Sequence, residues 1–194
     1  MNKVKFVGLD LSLTNSGVCV IGEEGKVLDI DSVKTDPCGS TIEERFARYR
    51  KIASKLWKIV KHVKGDIASV AVENFSYGSK GRIIQIVESG TLVRYCFIKG
   101  GVNMFIEVAP IQLKKYLLGK VKGKGAAIKN VMCREVFRKF GEEIDDDNQV
   151  DAFILAHIAR DYWHHTQGKK PGKSKTFGKP QAEVLLKLLQ KHGG

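Results

Sequence analysis

Asp10 closes an apolar, β-rich run in the segment Gly8-Leu-Asp-Leu-Ser-Leu-Thr-Asn-Ser-Gly17, and Glu73 closes a second such run, Ile67 to Val72. A third acidic group, Asp145-Asp-Asp-Asn-Gln-Val-Asp151, leads into the apolar stretch Ala152-Phe-Ile-Leu-Ala156. If a helix starts there, Asp151 shares a face with Asn148 or Asp147, because side chains three or four apart lie together. Carboxylates gathered at one sheet edge repel one another, and a hard divalent cation relieves that repulsion. Magnesium suits such oxygen ligands, and manganese can replace it. Two ions per site would activate water and stabilise the leaving oxygen during in-line attack on a phosphodiester. Each position also has a plainer reading: a turn residue after a strand, a solvated strand end, and an acidic helix N-terminus offsetting the macrodipole. The three in this order, each beside a buried-looking element, favour the metal reading.

Elements able to position these groups can be read from apolar periodicity. Val4 to Leu9, Gly17 to Ile21 and Lys26 to Val33 read as three opening strands. Between Thr41 and Val63, apolar residues from Ile42 to Val63 recur at steps of three and four, an amphipathic helix that Ser40 or Thr41 can cap. Ile67 to Val72 reads as a buried parallel strand with a functional group at its carboxyl end. Gly78 to Gly81 then loops into a helix from about Arg82 to Ile98, followed by a strand over Asn103 to Val108. Pro110 opens a short helix, and further helices are expected over Ala126 to Phe140 and Asp147 to Trp163. The order predicts an α/β domain over 1–166, a five-stranded mixed sheet flanked by helices. Residues 167–194 read as a basic, flexible appended tail, Gly168 to Lys179 rich in Lys, Gly and Pro, with a short helix from Pro180 to His192.

Charge points to the partner. Thirty-three Lys and Arg against twenty-one Asp and Glu give a formal net charge of +12, which favours a polyanion such as nucleic acid. From Pro110 to Arg134 there are six lysines, Lys114, Lys115, Lys120, Lys122, Lys124 and Lys129, and no acidic residue. A solvated helix face ordinarily mixes signs, so these read as phosphate contacts on a glycine-bearing loop. Phe75, Tyr77, Lys80 and Arg82 follow Glu73, where a ring can stack on or wedge between bases opened at a branch point; core packing is the competing role for Phe75. Glu88 reads as a surface residue or a satellite carboxylate, and His157, nearly two turns past Asp151, is left out of the ligand set. The four scattered cysteines form no C-x-x-C pair, which disfavours a zinc or disulfide framework. No membrane-spanning run or signal-peptide pattern is present, so a cytoplasmic protein is expected.

At Asp10 with Gly8 and Gly17, at Val72-Glu73-Asn-Phe75, and at Asp151-Ala-Phe-Ile-Leu-Ala156, the sequence resembles the RuvC-like Holliday junction resolvases of phages and bacteria. The resemblance covers about residues 3 to 165 and includes Pro110-Ile-Gln-Leu-Lys114 with Lys129 downstream. It implies a ribonuclease H-like fold, a homodimer addressing a four-way DNA junction with two symmetric nicks, and location in the cytoplasm, the host's for a phage-encoded copy. By position it makes Asp10, Glu73 and Asp151 metal ligands and places Lys114 and Lys129 beside the scissile phosphate. The family carries Asp or His where this chain has Asn148. Three readings follow: Asn148 ligates through its amide oxygen, Asp147 substitutes, or the position is an inactivating Asp-to-Asn change. Competing functions are another nuclease of the same fold, acting on RNA-DNA hybrid or of the YqgF type, and a junction-binding protein without catalysis. An actin-like kinase is the remote rival, disfavoured because it needs two such domains around its nucleotide.

Overall fold

The protein, a computed structural model, is described over residues 3–74, 83–120, 126–168 and 178–192. Strands β1 (Val4–Asp10), β2 (Asn15–Gly22) and β3 (Val27–Lys34) open the chain, followed by helix α1 (Ile42–His62) and strand β4 (Asp66–Glu73). Helix α2 (Ile83–Lys99), strand β5 (Phe105–Val108), and helices α3 (Pro110–Leu118), α4 (Ala126–Phe140), α5 (Asp147–Thr166) and α6 (Lys179–His192) complete it. Among the described residues no helix is long and apolar enough to cross a membrane.

The five strands lie in the order β3-β2-β1-β4-β5, a mixed sheet in which β2 runs antiparallel to β1 and β3, while β4 and β5 run parallel to β1. Strand alternation sends Val7, Leu9, Val18, Val20, Val70 and Val72 to one face, where they pack on α1 and α2 through Ile52, Leu56, Val60, Val93 and Phe97. Phe6, Cys19, Ile21, Ala71 and Ile106 point the other way, into a second core built on α3 to α6. The register pairs Leu9 with Val72, so Asp10 and Glu73 leave neighbouring parallel strands at the same edge.

α1 starts with a reciprocal capping box between Thr41 and Glu44, so Thr41 rather than Ser40 is the cap. At its far end the ammonium of Lys5, itself buried, donates to the Val60 carbonyl at 2.9 Å and to that of Val63. The reading of 167–194 as an appended tail does not hold for α6. Val184, Leu185 and Leu188 are buried in the same core as α5, and the Gln181 amide donates to the Tyr116 carbonyl of α3. Lys115 of α3 pairs with Glu183 of α6.

Candidate active site

Asp10 is carried by β1, Glu73 by β4 and Asp151 by the first turns of α5. One carboxylate oxygen from each lies within 4.8 Å of the others. Close approach of α5 to the sheet makes this possible. A Cβ on Gly8 would stand 1.9 Å from the Ala152 carbonyl oxygen, and one on Gly17 2.1 Å from that of Asn148. Backbone meets backbone at both points, which requires glycine in these strands.

The N-terminus of α5 is fixed by Asp146. Its carboxylate accepts from the backbone N–H groups of Asn148 and Gln149, from the Asn148 amide at 3.1 Å, and from the Asn15 amide of β2 at 3.0 Å. Burial alone would raise the Asp146 carboxyl, but these donors together hold it below its ordinary value. The loop after Asp10 is pinned too: the Ser12 hydroxyl accepts from the Asn15 N–H, Ser16 donates to the Ser12 carbonyl, and the Arg48 guanidinium reaches Leu13 from α1.

The electrostatics of the cluster are those of crowded acids. Burial, then the charges of Glu73 and Asp151, push the Asp10 carboxyl well above its ordinary value. Burial likewise raises Glu73, against the pull of Asp10 and Lys114. Asp151 is pushed up to about 7, chiefly by burial and next by Glu73, with Lys114 and Lys129 opposing. Three half-buried carboxylates whose charge is disfavoured by burial and by one another are a donor set suited to a hard divalent cation.

Of the lysines expected at the site, the structure brings Lys114 and Lys129 to it. They line a cavity of about 130 Å³ together with Asp147, Val150 and Asp151. The Lys129 ammonium donates to Asp147 at 2.8 Å; that bond, with attraction from Asp147, Asp151 and Asp10, raises its pKa. Asp147 is thus engaged by a cation, while the Asn148 amide nitrogen is engaged by Asp146. Lys115 is turned away to Glu183, and Lys120 is exposed beyond α3. Phe75, Tyr77, Lys80, Arg82, Lys122 and Lys124 lie outside the described residues.

Glu88 does not join the cluster: it accepts from the Tyr49 hydroxyl at 3.1 Å and lies 3.9 Å from Arg45, tying α2 to α1. His157 is enclosed between the rings of Phe140 and Phe153, where burial and nearby Arg160 lower its pKa far below the ordinary histidine value. Asn15 and Asp146 were not singled out from sequence. Two glycines in otherwise apolar strands were the available signal that another backbone approaches there.

Two solved structures of RuvC from Thermus thermophilus are similar to this chain in fold. One, in complex with a Holliday junction substrate, superposes with a TM-score of 0.65 at 19% identity over 88% of this chain and 99% of that one. The other matches at a TM-score of 0.65 and 22% identity, over 86% of this chain and 99% of that one. The fold is that of RuvC. It is therefore ribonuclease H-like, as the resemblance implies, and its five-stranded mixed sheet flanked by helices is the one that the order of elements predicts. No protein-family model and no curated protein matches the chain.

Proposed function

We propose that this chain is a divalent-metal-dependent endonuclease that resolves four-way or otherwise branched DNA by symmetric nicking, acting as a homodimer. The observation that carries this reading is the convergence of Asp10, Glu73 and Asp151 within 4.8 Å, beside Lys114 and Lys129, on a RuvC-like sheet. Asp10, Glu73 and Asp151 would hold the metal, with Asn148 through its amide oxygen, or Asp147, completing the set. When bound there, two magnesium or manganese ions supply an activated water and a Lewis acid for the leaving oxygen. Lys114 and Lys129 flank the carboxylates and hold the scissile phosphate, Lys129 exchanging Asp147 for a phosphate oxygen. Lys120, with Lys122 and Lys124 by their place in the sequence, is assigned to phosphate contacts that position without reading sequence, Lys115 contributing only if released from Glu183. Phe75, Tyr77, Lys80 and Arg82 are assigned to the open centre of the junction.

The dimer reading draws on α2. Ile84 is 71% exposed, Tyr95 56% and Ile98 55%, and with Val87 and Thr91 they form a ridge at steps of three and four. The apolar positions along α2 divide: Val93 is fully buried against the sheet and Leu92 packs with it, whereas Val87 is exposed. A groove of about 750 Å³ alongside is lined by Phe46, Ile83, Ile84, Val87 and Tyr95 among others. Such a ridge fits a second copy related by two-fold symmetry, matching the two equivalent strands of a junction.

The test is cleavage of end-labelled four-way junction, linear duplex and RNA-DNA hybrid, with and without magnesium or manganese, followed by mapping of the cuts. Paired, metal-dependent nicks confined to the junction are expected, and Asp10→Asn should abolish them while leaving junction affinity intact. Hybrid cleavage, or no nucleic-acid binding, would overturn the reading. Tight junction binding without cuts would leave a binding protein whose Asn148 accounts for the lost chemistry.

A further inference from the structure

Between Glu44 and Asp66 the chain carries no acidic residue and eight Lys and Arg. The apolar side of α1, with Tyr49, Ile52, Ala53, Leu56 and Val60, is buried in the core. The opposite side presents Arg50, Lys51, Lys55, Lys58 and Lys61, all exposed, and among the described residues none of the five is in an ion pair. At ~100° per residue they occupy an arc of about 140° and a length of about 16 Å along the helix. Like charges at such spacings repel and weaken a helix, so this face costs stability unless a polyanion covers it.

We propose that the outward face of α1 is a second DNA-binding surface, which grips the phosphate backbone of a duplex arm leading away from the cut. α1 begins at the edge that carries Asp10, where Arg48 reaches the following loop, and ends at the opposite edge, where Lys5 caps it. The stripe therefore runs from the site toward the far end of the sheet. It lies on the α1–α2 face, separate from the Lys114 and Lys129 rim. Its length matches roughly five phosphate steps of ~3.4 Å along a strand. A bilayer is a poorer fit, because membrane-surface helices insert an apolar face and here that face is committed to the core. That the duplex is an arm of branched DNA rests on the proposed function; that it is duplex DNA rests on the stripe.

The experiment compares the full chain with a Lys51→Gln, Lys55→Gln, Lys58→Gln, Lys61→Gln variant on four-way junctions with long and with short arms, linear duplex, and anionic vesicles. Binding is measured from 50 to 200 mM salt and thermal unfolding checks the fold. For long arms and duplex the log–log salt slope should become shallower by about three to four, removing on the order of 100-fold of the affinity lost over that salt range. Short-arm junction binding and cleavage should be unchanged, and the unfolding temperature should hold or rise as the repulsion along α1 is relieved. Equal slopes and affinities in a folded variant, with junction binding intact, would overturn this inference and leave the proposed function standing. If the wild type binds duplex without preferring junctions and the variant loses that binding, the proposed function fails and the stripe stands. No DNA binding by the wild type, or an effect of the variant on vesicles alone, would overturn the stripe as a DNA surface.

Discussion

The Asp151 carboxyl pairs an ordinary value of 3.8 with about 7 in the folded chain, because burial and Glu73 disfavour its charge. Between those pH values the native state binds the proton that the unfolded chain has released, so metal-free stability from this group falls as pH rises from about 4 to 7 and levels off above. Asp10 shifts in the same direction. Asp151→Asn should therefore flatten the decline: unfolding temperatures of the two metal-free proteins should diverge between pH 4 and 7, the wild type losing ground. Curves that stay parallel would sink the assignment of a strained acid at this position. On the proposed function a metal would compete with the same proton, so magnesium should raise the wild-type unfolding temperature more at pH 8 than at pH 6. Asn148 offers a second test. Asn148→Asp exchanges a donor to Asp146 for a second carboxylate beside it, which should lower metal-free stability. It also adds charge to the ligand set, so the thermal shift on adding manganese should grow and metal-dependent cleavage should hold or rise. A drop in cleavage with the fold intact would show that a carboxylate is not what this position requires.

At the scale of elements, the site depends on how closely α5 lies on β1 and β2. Gly17→Ala would set a methyl group about where the Asn148 carbonyl oxygen stands, and both neighbours are backbone. The strand and the helix must part, at a cost of roughly 1–3 kcal/mol, which moves Asp151 away from Asp10. The expected result is a lower unfolding temperature together with loss of the stabilisation that manganese should give the wild type on the proposed function; an unchanged manganese shift would show that α5 is held some other way. The carboxylates themselves were legible in the sequence because each follows or opens an apolar run, and strand order then put them at one edge. Other features were not, since nothing local encodes them. Asn15 meets Asp146 across 131 residues. Lys114 and Lys115 are neighbours of one type, yet one lines the site and the other pairs with α6. Val87 and Val93 are equally apolar, and which of them faces the sheet depends on how α2 is rotated. α6 looked like a tail because a Lys- and Gly-rich stretch precedes it, whereas Val184, Leu185 and Leu188 find their burial against elements far back in the chain.

For the molecule as a whole, the proposed pairing through the exposed ridge of α2 would tie quaternary structure to the pattern of cuts. Ile84, Val87, Thr91, Tyr95 and Ile98 follow the spacing by which one helix seats on another, and a two-fold pairing would bury each residue against its own counterpart's ridge. A charge placed there is introduced twice per dimer and desolvated both times. Ile84→Glu should therefore weaken association on the order of 100-fold, while the monomer stays folded, since this side chain lies outside the core. Light scattering on a sizing column should give a dimer for the wild type and a monomer for the variant at micromolar concentration. The consequence for cleavage separates coupling from chemistry. Each variant subunit keeps Asp10, Glu73 and Asp151 on its own sheet, so metal-induced stabilisation should survive. Two independent subunits have no reason to cut opposite strands during one encounter, so the product should shift from resolved linear duplexes to singly nicked junctions. A wild type that is monomeric, or a variant that stays dimeric and still resolves junctions, would remove α2 from the interface and require another surface to relate the two sites.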